Sequence, residues 1–309
     1  MESHWLLILF SLNLMVMTAH GALPAELYWK RKLPATPVPK AITELLRGDV
    51  NTGKSVDTDT QLQDELVISD LGAKEIPSQE NALLFYAYYV AKETQSRSFF
   101  EEYQLHAGNK FNVNLNKIKS VVPLLPREIA DHIPFSLDKM NEIFEMLSVK
   151  LESKNAEIVE KTIGDCESPP MDGEERYCAT SLESMVDFIT SKLGNNVHAM
   201  STEVTKETKL QNLLVKDGVE KLADDYITVC HPMAYPYVVF WCHKLQKTNA
   251  YFVPLEGEDG VRVKAVAVCH KDTSKWDPNH AAFQDLKVKP GTVPVCHFLP
   301  EGHLLWLPN

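Results

Sequence analysis

Four Cys-His dipeptides fall in the last third of this 309-residue chain, at Cys230-His231, Cys242-His243, Cys269-His270 and Cys296-His297. Ten residues separate the first from the second, and twenty-five separate each later neighbouring pair. Short β-branched or aromatic runs surround them: Tyr226–Val229, Tyr237–Trp241, Ala250–Pro254, Val261–Val268 and Val293–Phe298. Turn-forming segments such as Glu256–Gly260 and Lys289-Pro290-Gly291 divide these runs, which predicts a meandering antiparallel sheet. Successive side chains of a strand point to opposite faces. The cysteine and histidine of each dipeptide should therefore face apart, gathering four sulfurs on one side and four imidazoles on the other.

The redox compartment decides what those sulfurs do. Trp5–Met17 is an apolar run broken only by Ser11 and Asn13, and Ala19-His20-Gly21 offers small residues at a cleavage site. Residues 1–21 are thus expected to be a secretory signal cut before Ala22, although its n-region holds Glu2 and no Lys or Arg. The run is too short for a membrane span, so no membrane anchor is expected. Six cysteines, Cys166, Cys178, Cys230, Cys242, Cys269 and Cys296, remain in the exported chain, and an oxidising route favours disulfides. Cys166 and Cys178 bracket a Pro- and Gly-containing loop whose closure would be worth about 2–3 kcal/mol in the chain-entropy model. The other four should pair among themselves, in a connectivity the sequence leaves open. His231, His243, His270 and His297 then remain as neutral nitrogen donors suited to copper, zinc or nickel, with copper(II) heading the affinity order. Two alternatives stand beside this one. Structural zinc held by thiolates and imidazoles together needs reduced cysteines. Disulfides could also accompany histidines that only pack and hydrogen-bond.

Upstream the pattern is helical. Ser136 is placed to cap a helix running to about Leu151, with Leu137, Met140, Ile143, Phe144, Leu147 and Leu151 on one face. A second helix is predicted from the capping box Thr180–Glu183, burying Leu182, Met185, Val186, Ile189 and Leu193 and ending at Gly194. The expected fold class is α+β: two amphipathic helices, then a β-rich, disulfide-stabilised C-terminal half. Residues 22–46 carry Pro34, Pro37 and Pro39 and are expected to be extended, residues 47–80 form a polar linker, and Asn81–Val90 is an aromatic cluster packed on the main domain.

A formal net charge of −11 argues against nucleic acid as a partner. Acidic polysaccharide would also be repelled on average, although a local basic patch could hold it. The chain has no nucleotide-binding Gly-rich loop, no HExxH and no G-x-S-x-G.

The dipeptides and their spacing resemble the signature of the plant BURP-domain family. Ser98-Phe99-Phe100 is similar to the paired phenylalanines that open that domain, and Leu125–Ala130 with Ile133–Ser136 to its central segment. Trp276, Pro278-Asn279-His280 and Phe283, then Pro290-Gly291, Pro294 and Trp306, extend the likeness. The resemblance implies a division into a signal at 1–21, a leader and variable linker at 22–97 and a BURP domain at 98–309. It implies a secreted protein of the cell wall or apoplast, with the vacuole as another destination, acting in development or stress, with a cell-wall component or a peptide as partner. One branch of the family comprises copper-dependent peptide cyclases that crosslink Tyr or Trp, the alternative function. No repeated core peptide is present, and Tyr86, Tyr88 and Tyr89 are the nearest internal targets. His280 is a candidate extra ligand or supporting residue, whereas His303 is expected to stand outside the site.

Overall fold

The computed structural model describes residues 24–47, 99–115, 122–170, 173–206 and 209–309. The signal segment, the cleavage point before Ala22, most of the linker and Asn81–Val90 lie outside these residues. The architecture is α+β, with helices preceding a β-rich C-terminal half.

Two helices open the described chain, α1 (Pro24–Lys32) and α2 (Lys40–Arg47). The leader is therefore not extended: Pro34, Pro37 and Pro39 lie between the helices, where proline ends one and precedes the next. Trp29 is fully buried 5.2 Å from Trp306, and its Nε1 donates to the carbonyl of Thr36 at 2.8 Å. The leader is part of the core.

A short strand β1 (Lys110–Val113) and a single-turn helix α3 (Arg127–Ala130) follow. The helix expected from Ser136 is shorter than its pattern. A 3-10 turn at Leu137–Lys139 leads into α4 (Met140–Met146), and Ser136 makes no side-chain cap. Ser148 adopts a positive φ, so the chain turns before Leu151 is reached; Leu151 is exposed, as is Leu137 in the 3-10 turn. Helix α5 (Lys154–Glu167), which the apolar pattern did not reveal, is capped by Ser153 accepting from the Ala156 N–H. After β2 (Glu175–Ala179), α6 (Leu182–Leu193) buries the expected Leu182, Met185, Val186 and Ile189. Its cap is one residue later than predicted: Ser181 and Ser184 exchange the capping bonds, and Gly194 closes the helix at φ 81°.

The remaining strands are β3 (Val197–Met200), β4 (Glu203–Val204), β5 (Gln211–Val215), β6 (Glu220–Ala223), β7 (Ile227–Met233), β8 (Val239–Leu245), β9 (Thr248–Gly257) and β10 (Arg262–His270). Helix α7 (Ala281–Leu286) precedes β11 (Val295–Leu299) and β12 (Leu304–Pro308). They form two antiparallel sheets, not one. A seven-stranded sheet runs β1-β5-β9-β10-β11, with β4 on β10 and β6 on β9, and a five-stranded sheet runs β2-β8-β7-β12-β3. Residues of both meet in one apolar cluster, Ile227, Val229, Leu245, Leu305 and Leu307 against Ala250, Val266, Val268 and Leu299. The other face of the five-stranded sheet is covered by α1, α2 and α6. Helices α4 and α5 pack on Tyr235, Tyr237 and Val239 around the β7–β8 turn.

Candidate functional site

The four dipeptides occupy equivalent places in two pairs of neighbouring strands. Cys230 on β7 lies directly opposite Cys242 on β8, and Cys269 on β10 directly opposite Cys296 on β11. Each pair is joined by a disulfide with Cα atoms 4.0 Å apart, a spacing of the narrow, non-hydrogen-bonded kind. A third disulfide ties Cys166 of α5 to Cys178 of β2, and no cysteine is free.

Alternation then sets the imidazoles. Cys230 and Cys242 belong to the cluster under the helices, and Cys269 and Cys296 to the separate core of the seven-stranded sheet. The sulfurs therefore do not gather on one side of one sheet. They occupy the outward faces of two. His231 shares a face with Ile227 and Val229, His243 with Leu245, His270 with Val266 and Val268, and His297 with Leu299. All four imidazoles thus leave the facing sides of the two sheets, as two pairs.

The first pair is His231 and His243, whose Nε2 atoms are 3.2 Å apart. His303, next to the start of β12, brings its Nδ1 to 2.8 Å from His231 Nδ1. The expectation that His303 stands outside the site is therefore corrected: strand β12 pairs Leu304 with Cys230, which sets His303 beside His231. Behind His243, Glu174 Oε1 lies 2.9 Å from Nδ1, with 4% of the carboxylate side chain exposed. A carboxylate accepts, so it holds the His243 proton on Nδ1 and leaves the Nε2 lone pair toward His231. The Trp241 ring lies 4.2 Å from His243.

The second pair is His270 and His297, with stacked rings 5.6 Å apart. His297 Nδ1 donates to the Phe298 carbonyl at 3.1 Å, leaving its lone pair on Nε2. Thr248 Oγ1 stands 3.5 Å from His270 Nδ1. Trp276 approaches His270 to 5.0 Å, and Phe99 approaches His297 to 6.2 Å. His280 belongs to this neighbourhood through Trp276 and Phe99, but its Nδ1 accepts the Ala282 N–H and caps α7. A neutral imidazole so held carries its proton on Nε2.

Among the described residues no three His, Cys, Asp or Glu side chains stand as a ready-made metal cage. The donor set can be tested against copper at the pair level. Two nitrogens each about 2.0–2.1 Å from one ion lie about 2.9–3.4 Å apart. The 3.2 Å between His231 Nε2 and His243 Nε2 falls in that interval, and Glu174 supplies the carboxylate that commonly orients a ligating imidazole. A cavity of about 740 Å³ opens elsewhere, where Lys40, Lys216, Arg262 and Lys264 mix with Glu203 and Glu256, and none of the motif histidines lines it.

A family model described as BURP domain matches residues 98–308. The chain belongs to the BURP-domain family. It is 52% identical over 230 residues to BURP domain protein RD22 of Arabidopsis thaliana, covering 71% of this chain and 59% of that protein. It is 46% identical over 241 residues to BURP domain-containing protein 3 of Oryza sativa subsp. japonica, covering 74% and 56%. With BURP domain-containing protein 5 of the same rice it shares 39% identity over 301 residues, covering 93% and 88%. The chain thus spans less than two thirds of the first two relatives and most of the third. Within this BURP domain the motif histidines are the residues the sequence pointed to. Glu174 and His303 were not, because neither adjoins a cysteine. The one signal available was His303 immediately preceding the continuous apolar run Leu304–Leu307.

Proposed function

We propose that this chain is a secreted BURP-domain protein of the plant cell wall or apoplast, acting in development or stress response, with a copper-capable histidine site. The observation that carries the metal reading is the 3.2 Å approach of His231 Nε2 to His243 Nε2 with Glu174 behind it. His231 and His243 would hold the ion, and His270 and His297 offer a second imidazole pair. Copper, when bound, supplies a one-electron couple. The chain's own residues do the rest: Glu174 keeps the His243 proton on Nδ1, and the two cross-strand disulfides fix the backbone beside each imidazole before an ion arrives. Three disulfides and the apolar segment Trp5–Met17 support the secretory route. No helix among the described residues is long and apolar enough to cross a membrane.

Metal analysis of the secreted protein after aerobic copper(II) loading tests the site. Copper should survive dialysis in the native chain. It should be lost when His231, His243, His270 and His297 are replaced together with all disulfides intact. Retention in that fourfold variant would refute the site. The second reading is a copper-dependent enzyme that crosslinks Tyr or Trp. The indoles of Trp241 and Trp276 beside the two pairs support it, because they give each pair an aromatic surface on which a substrate ring could pack. Loss of two hydrogens from a Tyr-containing peptide, dependent on copper and oxygen, separates the two readings.

A further inference from the structure

Arg176 lies directly opposite His243 in the β2–β8 register, so both side chains leave the sheet on the same face. Tyr177, the next residue, takes the other face and stacks on Phe188 of α6 at 5.4 Å. The Nε and Nη2 atoms of Arg176 are enclosed, yet neither has a hydrogen-bond partner in the protein. Buried charges are ordinarily paired, and a buried guanidinium edge left bare is costly. The nearby carboxylates are committed elsewhere. Glu174 faces His243, and Glu175 pairs with Lys192 and Lys244. Nε and Nη2 are also the two nitrogens of the side-on edge of a guanidinium, whose parallel N–H bonds match the two oxygens of a carboxylate.

We infer that Arg176 is a recognition residue for a carboxylate-bearing ligand bound next to His231, His243 and His303. No other Lys or Arg of β2, β7 or β8 shares that face, and Glu174 already stands there beside His243, so the site has little positive charge to offer, which suits a carboxylate better than a phosphate dianion. Among the described residues no strand pairs with the outer edge of β2, and the Cys166–Cys178 disulfide anchors that strand two residues from Arg176. The carboxylate can come from a peptide C-terminus, an acidic side chain or a uronic acid. The inference takes its location from the histidine site but does not need a metal, so it is tested on chelator-treated protein with its disulfides intact.

Four probes are titrated by calorimetry and by nuclear magnetic resonance: an acetylated Tyr-Gly peptide with a free C-terminus, its C-terminal amide, an amidated acetyl-Tyr-Glu peptide, and galacturonate. At least one acid should bind while the plain amide does not, and which acid binds identifies the source. Arg176→Met should weaken that acid at least tenfold, and Arg176→Lys, which keeps the charge without the fork, should fall between. Because the native edge is unpaired, Arg176→Met should also leave the unfolding temperature of the ligand-free protein unchanged or raised. Equal binding of acid and amide, no binding by any probe, or a destabilised Arg176→Met variant with unaltered acid binding would each overturn the assignment. None of these results bears on copper retention by the histidines.

Discussion

The contacts along Glu174, His243, His231 and His303 constrain where the ring protons sit. With no ion present and neutral rings, His243 donates Nδ1–H to Glu174 and must receive at Nε2, so His231 donates Nε2–H to it and accepts at Nδ1 from His303. If His231 and His243 held a metal through Nε2, the His231 proton would sit on Nδ1 and the bond to His303 would run the other way. His303 can serve in both states because it can accept or donate at Nδ1. Replacing Glu174 by Ala should therefore lower copper(II) affinity by about 10–100-fold, in line with other supporting residues of metal sites. Glu175→Ala, on the opposite face, should leave it unchanged. Competition against a chelating dye measures both. His303→Ala should also weaken copper binding, the reverse of what its position outside the four dipeptides suggests. Copper affinity unmoved in Glu174→Ala and His303→Ala would remove these two residues from the site.

At the level of elements, the docked leader and the capped α6 carry separable costs. Trp29 is fully buried against Trp306 and anchors α1 in the cluster that includes Cys230 and Cys242. Trp29→Ala should cost about 3–5 kcal/mol in urea unfolding. Ser181→Ala, which removes the buried cap of α6, should cost about 1 kcal/mol. These two elements also mark the reach of the sequence. Helix α6 was legible because its apolar residues keep helical spacing and a cap and a glycine bound them. Helix α5 was not, since Asn155 and Thr162 interrupt the buried stripe of Ala156, Val159 and Ile163. The leader misled because prolines mark breaks between helices as readily as extended chain. The dipeptides themselves were legible through strand alternation, which placed every cysteine and histidine on opposite faces. Glu174 and Arg176 were hidden because strand β2 reaches β8 from almost seventy residues away, and no local pattern reports that pairing.

Across the whole molecule, the chain passes between the two sheets more than once, and one of these passages is very short. Strand β8 ends at Leu245 and β9 begins at Thr248, and between them the chain leaves one sheet for the other. Equal spacing of the later dipeptides gave no sign of it. The same layering buries two phenols and half-buries a third. Tyr235 and Tyr237 pack edge to face at 4.9 Å beneath α4 and α5, their hydroxyls without protein partners, and burial raises both well above the usual phenol range. Tyr251 is pushed up to about 12 by burial and by Glu102, to which it donates. A phenol raised in the folded state keeps its proton where the unfolded chain has lost it. Folded protein then binds more protons, and stability falls as pH rises above about 10. Each fully buried phenol adds a slope of about 1.4 kcal/mol per pH unit. Urea midpoints should therefore be level with respect to these groups between about pH 7 and 9 and drop steeply beyond about pH 10. The Tyr235→Phe, Tyr237→Phe double variant keeps the packed rings and loses only hydroxyls that bond to nothing in the protein. It should match or exceed the native stability at neutral pH and lose part of the alkaline slope. Lysine deprotonation acts equally on both proteins, so the difference between them isolates the phenols. Parallel alkaline curves for the two proteins would show that Tyr235 and Tyr237 ionise without unfolding the helical layer above them.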